Sequence, residues 1–226
     1  MALHIPPSDP AEQLDQLLAD AGLSIIQVEQ NKRFIDYLAL IIRWNTRTNL
    51  TATRDSQSIL RRHIVESIAC AHALPAGIAT LLDFGSGAGF PGIPIAICRP
   101  EIAVTLAESQ GKKAAFLHEA VRVTGIAARV HPSRAETLNT TFDCVTLRAV
   151  DRMEQALAAA AHLVASNGWL APLTTRSQLP TIQAAVSLDF SWSEPISLPL
   201  STDRILALAH RTQLLDPPPL DSLLPP

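Results

Sequence analysis

Residues 81–97 read LLDFGSGAGFPGIPIAI. An apolar run ends in an acid, Asp83, and then breaks into glycines at Gly85, Gly87 and Gly89. This pattern predicts a strand that enters a tight ligand-binding turn and leaves it as a helix. In a doubly wound α/β sheet the first such turn is where the ligand sits.

The spacing narrows the ligand. A dinucleotide fingerprint is G-x-G-x-x-G, in which bare backbone and a helix N-terminus receive a pyrophosphate. Here the third glycine comes one residue early, and Pro91 and Pro94 delay and shorten the helix. A Walker-type phosphate loop needs a closing G-K-[ST], which is absent. A carboxylate at Asp83 repels a pyrophosphate and attracts an ammonium group. S-adenosylmethionine carries an ammonium, a carboxylate and a sulfonium, and no phosphate. Glu108 ends the second predicted strand, IAVTLAES, where an acid can accept from both ribose hydroxyls. The plainer alternative makes Asp83 a helix cap and Glu108 a solvated strand end. Taken with the glycine turn, the two acids favour S-adenosylmethionine over a nicotinamide dinucleotide.

Outward from the turn, residues 77–212 alternate between two periodicities. Strands are predicted at ATLLDFG, IAVTLAES, AARVHP, FDCVTLRAV, GWLAPLT, FSWSEPISL and DRILALAHR. Between them IPIAICR, GKKAAFLHEAVRVTG, MEQALAAAAHLVASNG and LPTIQAAVSL read as helices. Strands alternating with helices give an α/β domain with a mostly parallel sheet. Residues 1–76 form a helical N-terminal extension, its third helix starting at Asp55 or Ser56 and closed by Pro75 and Gly77. Residues 213–226 are a proline-rich tail outside the sheet.

The chain has 226 residues, 47% hydrophobic, enough for a real core. A net charge of −3 argues against coating nucleic acid by bulk charge but leaves room for a local basic face. Cys70, Cys98 and Cys144 are far apart and form no metal-binding or disulfide pattern. The first residues lack the charged and apolar parts of a secretory signal. No apolar run approaches the ~20 residues that span a bilayer. The expectation is a cytoplasmic protein without metal or membrane partner, with nothing that demands more than a monomer.

Further motifs carry a resemblance. WNTRTNLTATRDSQSILRRHIVESI at 44–68, the P-G-I-P end of the glycine turn, ESQGKKAAFL, SRAET and LRAV occur in this order. Together they resemble the bacterial small-subunit ribosomal RNA methyltransferase G family, over about residues 11–175. The resemblance implies a Rossmann-like class I methyltransferase with a seven-stranded sheet, one strand antiparallel near DRILALAHR. It implies methyl transfer from S-adenosylmethionine to N7 of a guanine, nucleotide 527 of 16S rRNA in the 30S subunit. Carried over, Gly85 and Phe90 would touch the cofactor, Ala135 and Glu136 would lie near its adenine, and Arg148 would complete the set. Asp83, Gly87, Gly89 and Glu108 join them from the turn and the charge argument. The chain departs from the family at Val150 and Asp151, and again at Thr174, Thr175 and Arg176, where a lysine and glycine are usual. These departures keep two alternatives open: another RNA or small-molecule acceptor, or a ribosome-binding module without activity.

Guanine N7 has a free in-plane lone pair, so no catalytic base is required. Arg148 and Asp151 are the candidates for a direct part in transfer, with Glu136 a further acid that could face the methylated base. Arg43, Arg47, Arg54, Arg61 and Arg62 in the extension, with Lys112 and Lys113, would form a footprint for RNA phosphates. Arg148 could pair with the methionine carboxylate, an RNA phosphate or a local acid. His63 could contact RNA or cap a helix, although a lone helical histidine is more often structural.

Overall fold

The computed structural model of the chain describes residues 9–148, 153–186 and 189–212. Asp151, Val150 and the proline-rich tail lie outside the described residues. Five parallel strands form the centre of the sheet: β1 (Thr80–Phe84), β2 (Ala103–Ala107), β3 (Ala128–His131), β4 (Phe142–Arg148) and β5 (Val164–Thr175). Their spatial order is β3-β2-β1-β4-β5. The winding reverses between β1 and β4, and the crevice at that switch point opens at the strands' carboxyl ends.

Alternation along the strands serves two cores. Leu81 of β1 and Cys144 of β4 join the core under the N-terminal helices, while Leu82, Phe84, Val145 and Leu147 join the core on the opposite face. Helices α1 (Pro10–Asp20), α2 (Val28–Asn45), α3 (Ser56–Ile59), α4 (Val65–Ala73), α5 (Gly92–Cys98) and α6 (Gly111–Thr124) cover the first face. Helices α7 (Met153–His162) and α8 (Leu179–Ala185) cover the second. The helical extension therefore shares a core with the sheet. Asp55 caps α3 by accepting from the Ser58 N–H at 2.7 Å. The third predicted helix is continuous but contains a π-helical turn at Leu60–Ile64, in which the Val65 N–H reaches back to the Leu60 carbonyl.

Two expectations are corrected. The helix read through MEQALAAAAHLVASNG ends at His162, and Val164 already pairs with Phe142 of β4. The SNG signal lies inside β5 as a bulge, where Asn167 takes a positive φ of 61° and the register with β4 shifts. Among the described residues the sheet has nine strands instead of seven, because each of its last two ribbons is broken. β8 (Arg204–Leu206) and β9 (Ala209–Arg211) both pair antiparallel with β5, in one unbroken register. Between them the Ala207 N–H donates to the Pro172 carbonyl, and Pro172 has no N–H to return. β6 (Phe190–Trp192) and β7 (Ile196–Ser197) flank the same break, separated by Pro195.

Candidate active site

The glycine turn follows β1, and its three glycines all have positive φ, 70° at Gly85, 57° at Gly87 and 91° at Gly89. Asp83 and Thr146 are register partners on adjacent strands and point to the same face. The Thr146 hydroxyl donates to Asp83 Oδ1 at 3.1 Å, and the Gly92 N–H donates to Oδ2 at 3.2 Å. A Cβ on Gly92 would stand 2.7 Å from that carboxylate oxygen, which is why this position in the P-G-I-P segment is glycine. Asp83 is 1% exposed, and burial pushes its carboxyl up to about 6 against the hydrogen bonds it accepts. The carboxylate holds the turn from behind and is not among the residues that line the cavity in front of it.

That cavity measures about 460 Å³ and lies over the carboxyl ends of β1, β2 and β4. Of the predicted residues, Gly85, Gly87, Phe90, Glu108, Lys113 and Arg148 line it. Gly89 does not; it lies in the turn against Ile93 and Tyr37. Ala135 is buried in the second core, in the short 3₁₀ turn that follows β3, and Glu136 is exposed with an ion pair to Arg134 at 3.7 Å. Arg54, Arg61 and Arg62 are exposed and line neither this cavity nor the one around Arg47 and Lys112.

Glu108 forms one end. Its Oε2 accepts from the Gly87 N–H at 3.0 Å and its Oε1 from the Gln110 N–H at 2.7 Å. The Glu108 side chain thus ties the glycine turn to the start of α6 and still presents its remaining lone pairs to the cavity. At the other end stands Arg148. Its Nη2 donates to the Arg62 carbonyl at 2.8 Å and to Glu66 Oε2 at 3.1 Å. Glu66 lies in α4, is 1% exposed, and is shared with Arg204, whose Nη2 stands 2.5 Å from Oε1 at an angle that makes no hydrogen bond. Burial raises the Glu66 carboxyl and lowers the Arg148 guanidinium, while each pulls the other toward the charged form.

Among the described residues this end of the cavity holds buried polar atoms without partners: Arg148 Nη1 and both ring nitrogens of His63. Such atoms call for a ligand or water. His63 sits on the π-helical turn, stacked on Phe90 with centroids 5.0 Å apart. Burial, followed by the charges of Arg148, Arg204 and Arg62, pushes its imidazole down to about 3, so it is neutral. The lone-histidine argument gave it no such place, and only the R-R-H run, which lies within the π-turn, could have pointed to it.

The residues that line the cavity fit S-adenosylmethionine. Its volume is in the range of small-molecule sites. It has an acid at one end for a ribose and unpartnered donors at the other for a carboxylate. Among the described residues no group of three or more His, Cys, Asp or Glu could hold a metal ion, and no helix is long and apolar enough to cross a membrane.

Comparisons with known proteins agree. The fold resembles that of a methyltransferase from Pyrococcus furiosus, with a TM-score of 0.59 at 13% identity, covering 80% of this chain and 99% of that one. A ribosomal RNA small subunit methyltransferase G from Stenotrophomonas maltophilia is 38% identical over 220 residues, 96% of this chain and 100% of the relative. Its counterpart from Xanthomonas euvesicatoria is 40% identical over 183 residues, 77% and 84% of the two chains. The family model described as rRNA small subunit methyltransferase G matches residues 30–188. The chain belongs to that family, the rRNA small subunit methyltransferase G family.

Proposed function

We propose that the protein methylates N7 of one guanine, nucleotide 527, in the 16S rRNA of the small ribosomal subunit. Family membership supports an S-adenosylmethionine-dependent methyltransferase of small-subunit rRNA. The observation that carries the cofactor reading is the polarity of the cavity, with Glu108 at one end and the buried, unpartnered Nη1 of Arg148 at the other.

S-adenosylmethionine, when bound, supplies a methyl group activated by its sulfonium. Glu108 accepts from the ribose hydroxyls, and the backbone of Gly85 and Gly87 lets the ligand approach closely. Arg148 holds the methionine carboxylate. Asp83 and Gly89 act behind these residues by fixing the turn. Ala135 and Glu136 follow β3, whose His131 carbonyl accepts from the Glu108 N–H at 3.1 Å, and they belong with the adenine end. Phe90, with the neutral His63 ring stacked against it, presents an apolar face that excludes water from the transfer path. Guanine N7 attacks with its own lone pair, so the chain contributes alignment and desolvation and no proton transfer. Arg54, Arg61 and Arg62 offer exposed charge to the RNA backbone.

The test is transfer of labelled methyl to 30S subunits that lack the modification, with modified subunits as control. Incorporation at one guanine, in the unmodified subunits only, is expected. Transfer to another RNA, or none from folded protein, would overturn the reading.

A further inference from the structure

Beside the cofactor cavity lies a second one, of about 640 Å³, between the end of α2 and the first turns of α6. Trp44, Thr46, Arg47, Thr48 and Lys112 line it. Its acid, Glu119, is already neutralised: it pairs with Arg43, and its Oε2 accepts from Trp44 Nε1 at 2.7 Å. Arg43, predicted as a phosphate contact, is thereby committed. Arg47 and Lys112 are exposed and make no side-chain hydrogen bond or ion pair among the described residues. Trp44 is held by Glu119 and by an edge contact with Phe116, 5.7 Å between centroids, so its indole is fixed in the wall.

The two cavities share a partition. Lys112 faces the second and Lys113, its neighbour on α6, lines the first. Thr46, Arg47 and Thr48 line the second, while Leu50, Thr51 and Ala52 line the first. The partition is built on buried Asn45. Its Oδ1 accepts from the Leu50 N–H at 3.0 Å and the Thr51 N–H at 3.2 Å, and its Nδ2 donates to Thr51 Oγ1 at 2.9 Å. The two cavities are thus neighbours, separated only by this ridge.

We propose that the second cavity seats a nucleotide flanking the acceptor guanine, with Arg47 and Lys112 on its phosphate and the Trp44 indole against its base. The inference rests on the reading that the substrate is RNA. Two uncommitted cations, the Thr48 hydroxyl and a fixed aromatic wall are the chemistry that recognises single-stranded nucleotides; the Thr46 hydroxyl donates to the Arg43 carbonyl at 2.7 Å. An acidic peptide would use the cations but not the indole.

The chain has three tryptophans, so the W169F/W192F variant leaves Trp44 as the only one. Titration with a short single-stranded oligoribonucleotide should quench its fluorescence. R47A/K112A should weaken binding at least tenfold and lower the salt slope by about 1, close to one lost phosphate contact. Binding of S-adenosylhomocysteine should stay unchanged. A silent Trp44, a loss no greater than from R129A at exposed Arg129, or equal quenching by an oligoglutamate peptide would overturn the proposal. If the tryptophan variant fails to fold, wild-type protein decides: RNA should protect Lys112 from acetylation, and no protection sinks the idea. Methyl transfer to 30S subunits is measured in parallel. Transfer without a Trp44 signal removes the seat and keeps the enzyme, and the reverse removes the enzyme and keeps the seat.

Discussion

The hydroxyl of Tyr37, carried by α2, donates to the carbonyl of Ala88 in the glycine turn. Tyr37 is fully buried, and burial pushes its phenol well above the usual range, so it remains a donor at every working pH. Its ring also packs on Phe90, with centroids 5.4 Å apart. The helical extension thus forms part of the wall that shapes the cofactor turn, in addition to any role in holding RNA. Tyr37→Phe should leave a buried carbonyl unpaired and lower stability by about 1–3 kcal/mol. Urea denaturation measures the loss, and calorimetry with S-adenosylhomocysteine should show weaker binding. Unchanged values for both would show that the contact does not matter.

The turn glycines differ in what a side chain would meet. A Cβ at Gly89 would lie 2.5 Å from Ile93 Cδ1 and 2.9 Å from Tyr37 Oη, at a φ of 91°. At Gly87 the nearest atom is 3.9 Å away, and the φ of 57° is one that other residues adopt at moderate strain. Gly87→Ala should therefore cost about 1 kcal/mol, and Gly89→Ala about 3 kcal/mol or more. Equal losses in denaturant titrations would reject the steric account.

The sequence made the switch-point turn and the first four strands readable, because period-2 apolar runs ended at glycine or proline signals. It misled where a local signal had two uses. The SNG triplet looked like a helix stop and is a bulge inside β5. Pro172 sits in a central strand, where it removes one ladder bond and splits the partner ribbon. Asp83 showed a charge but not its direction, which depends on pairing with Thr146 on a strand more than sixty residues away. His63 and Glu66 were unreadable as a pair with Arg148, because a π-helical turn shifts the helix face that periodicity would assign.

Glu66 balances two guanidiniums, from Arg148 and Arg204, inside the protein. Removing a buried ion's partner leaves an uncompensated charge, typically 3–5 kcal/mol. Glu66→Gln should lose stability on that scale and bind S-adenosylhomocysteine at least tenfold more weakly, since Arg148 is no longer held toward the cavity. Glu66→Gln with Arg204→Met should recover part of the stability, because one of the two charges left unbalanced is gone. Recovery of ligand affinity to the wild-type value in that double variant would show that net charge, and not the placement of Arg148, sets binding.

Asp83 and His63 give the site opposite responses to pH. Asp83 is held at about 6 when folded and returns to about 3.9 when unfolded. Between these values the folded state keeps a proton that the unfolded state has lost, so this group's contribution to stability falls as pH rises. His63 is held at about 3 when folded and returns to about 6.5 when unfolded. Here the unfolded state binds the extra proton, so the contribution rises with pH across that window and is lost on acidification. From about pH 4 to 6 the two slopes, each at most about 1.4 kcal/mol per pH unit, oppose one another. Asp83→Asn removes the falling slope, so its stability relative to wild type should climb as pH goes from 4 to 6. His63→Asn removes the rising one, and its relative stability should decline over the same range. Urea titrations at pH 4, 5 and 6 read both differences, in which the carboxylates common to all three proteins cancel. Parallel pH profiles for wild type and Asp83→Asn would mean that the carboxylate is ionised at its ordinary pH in the fold, and that the turn is held by a charged acid.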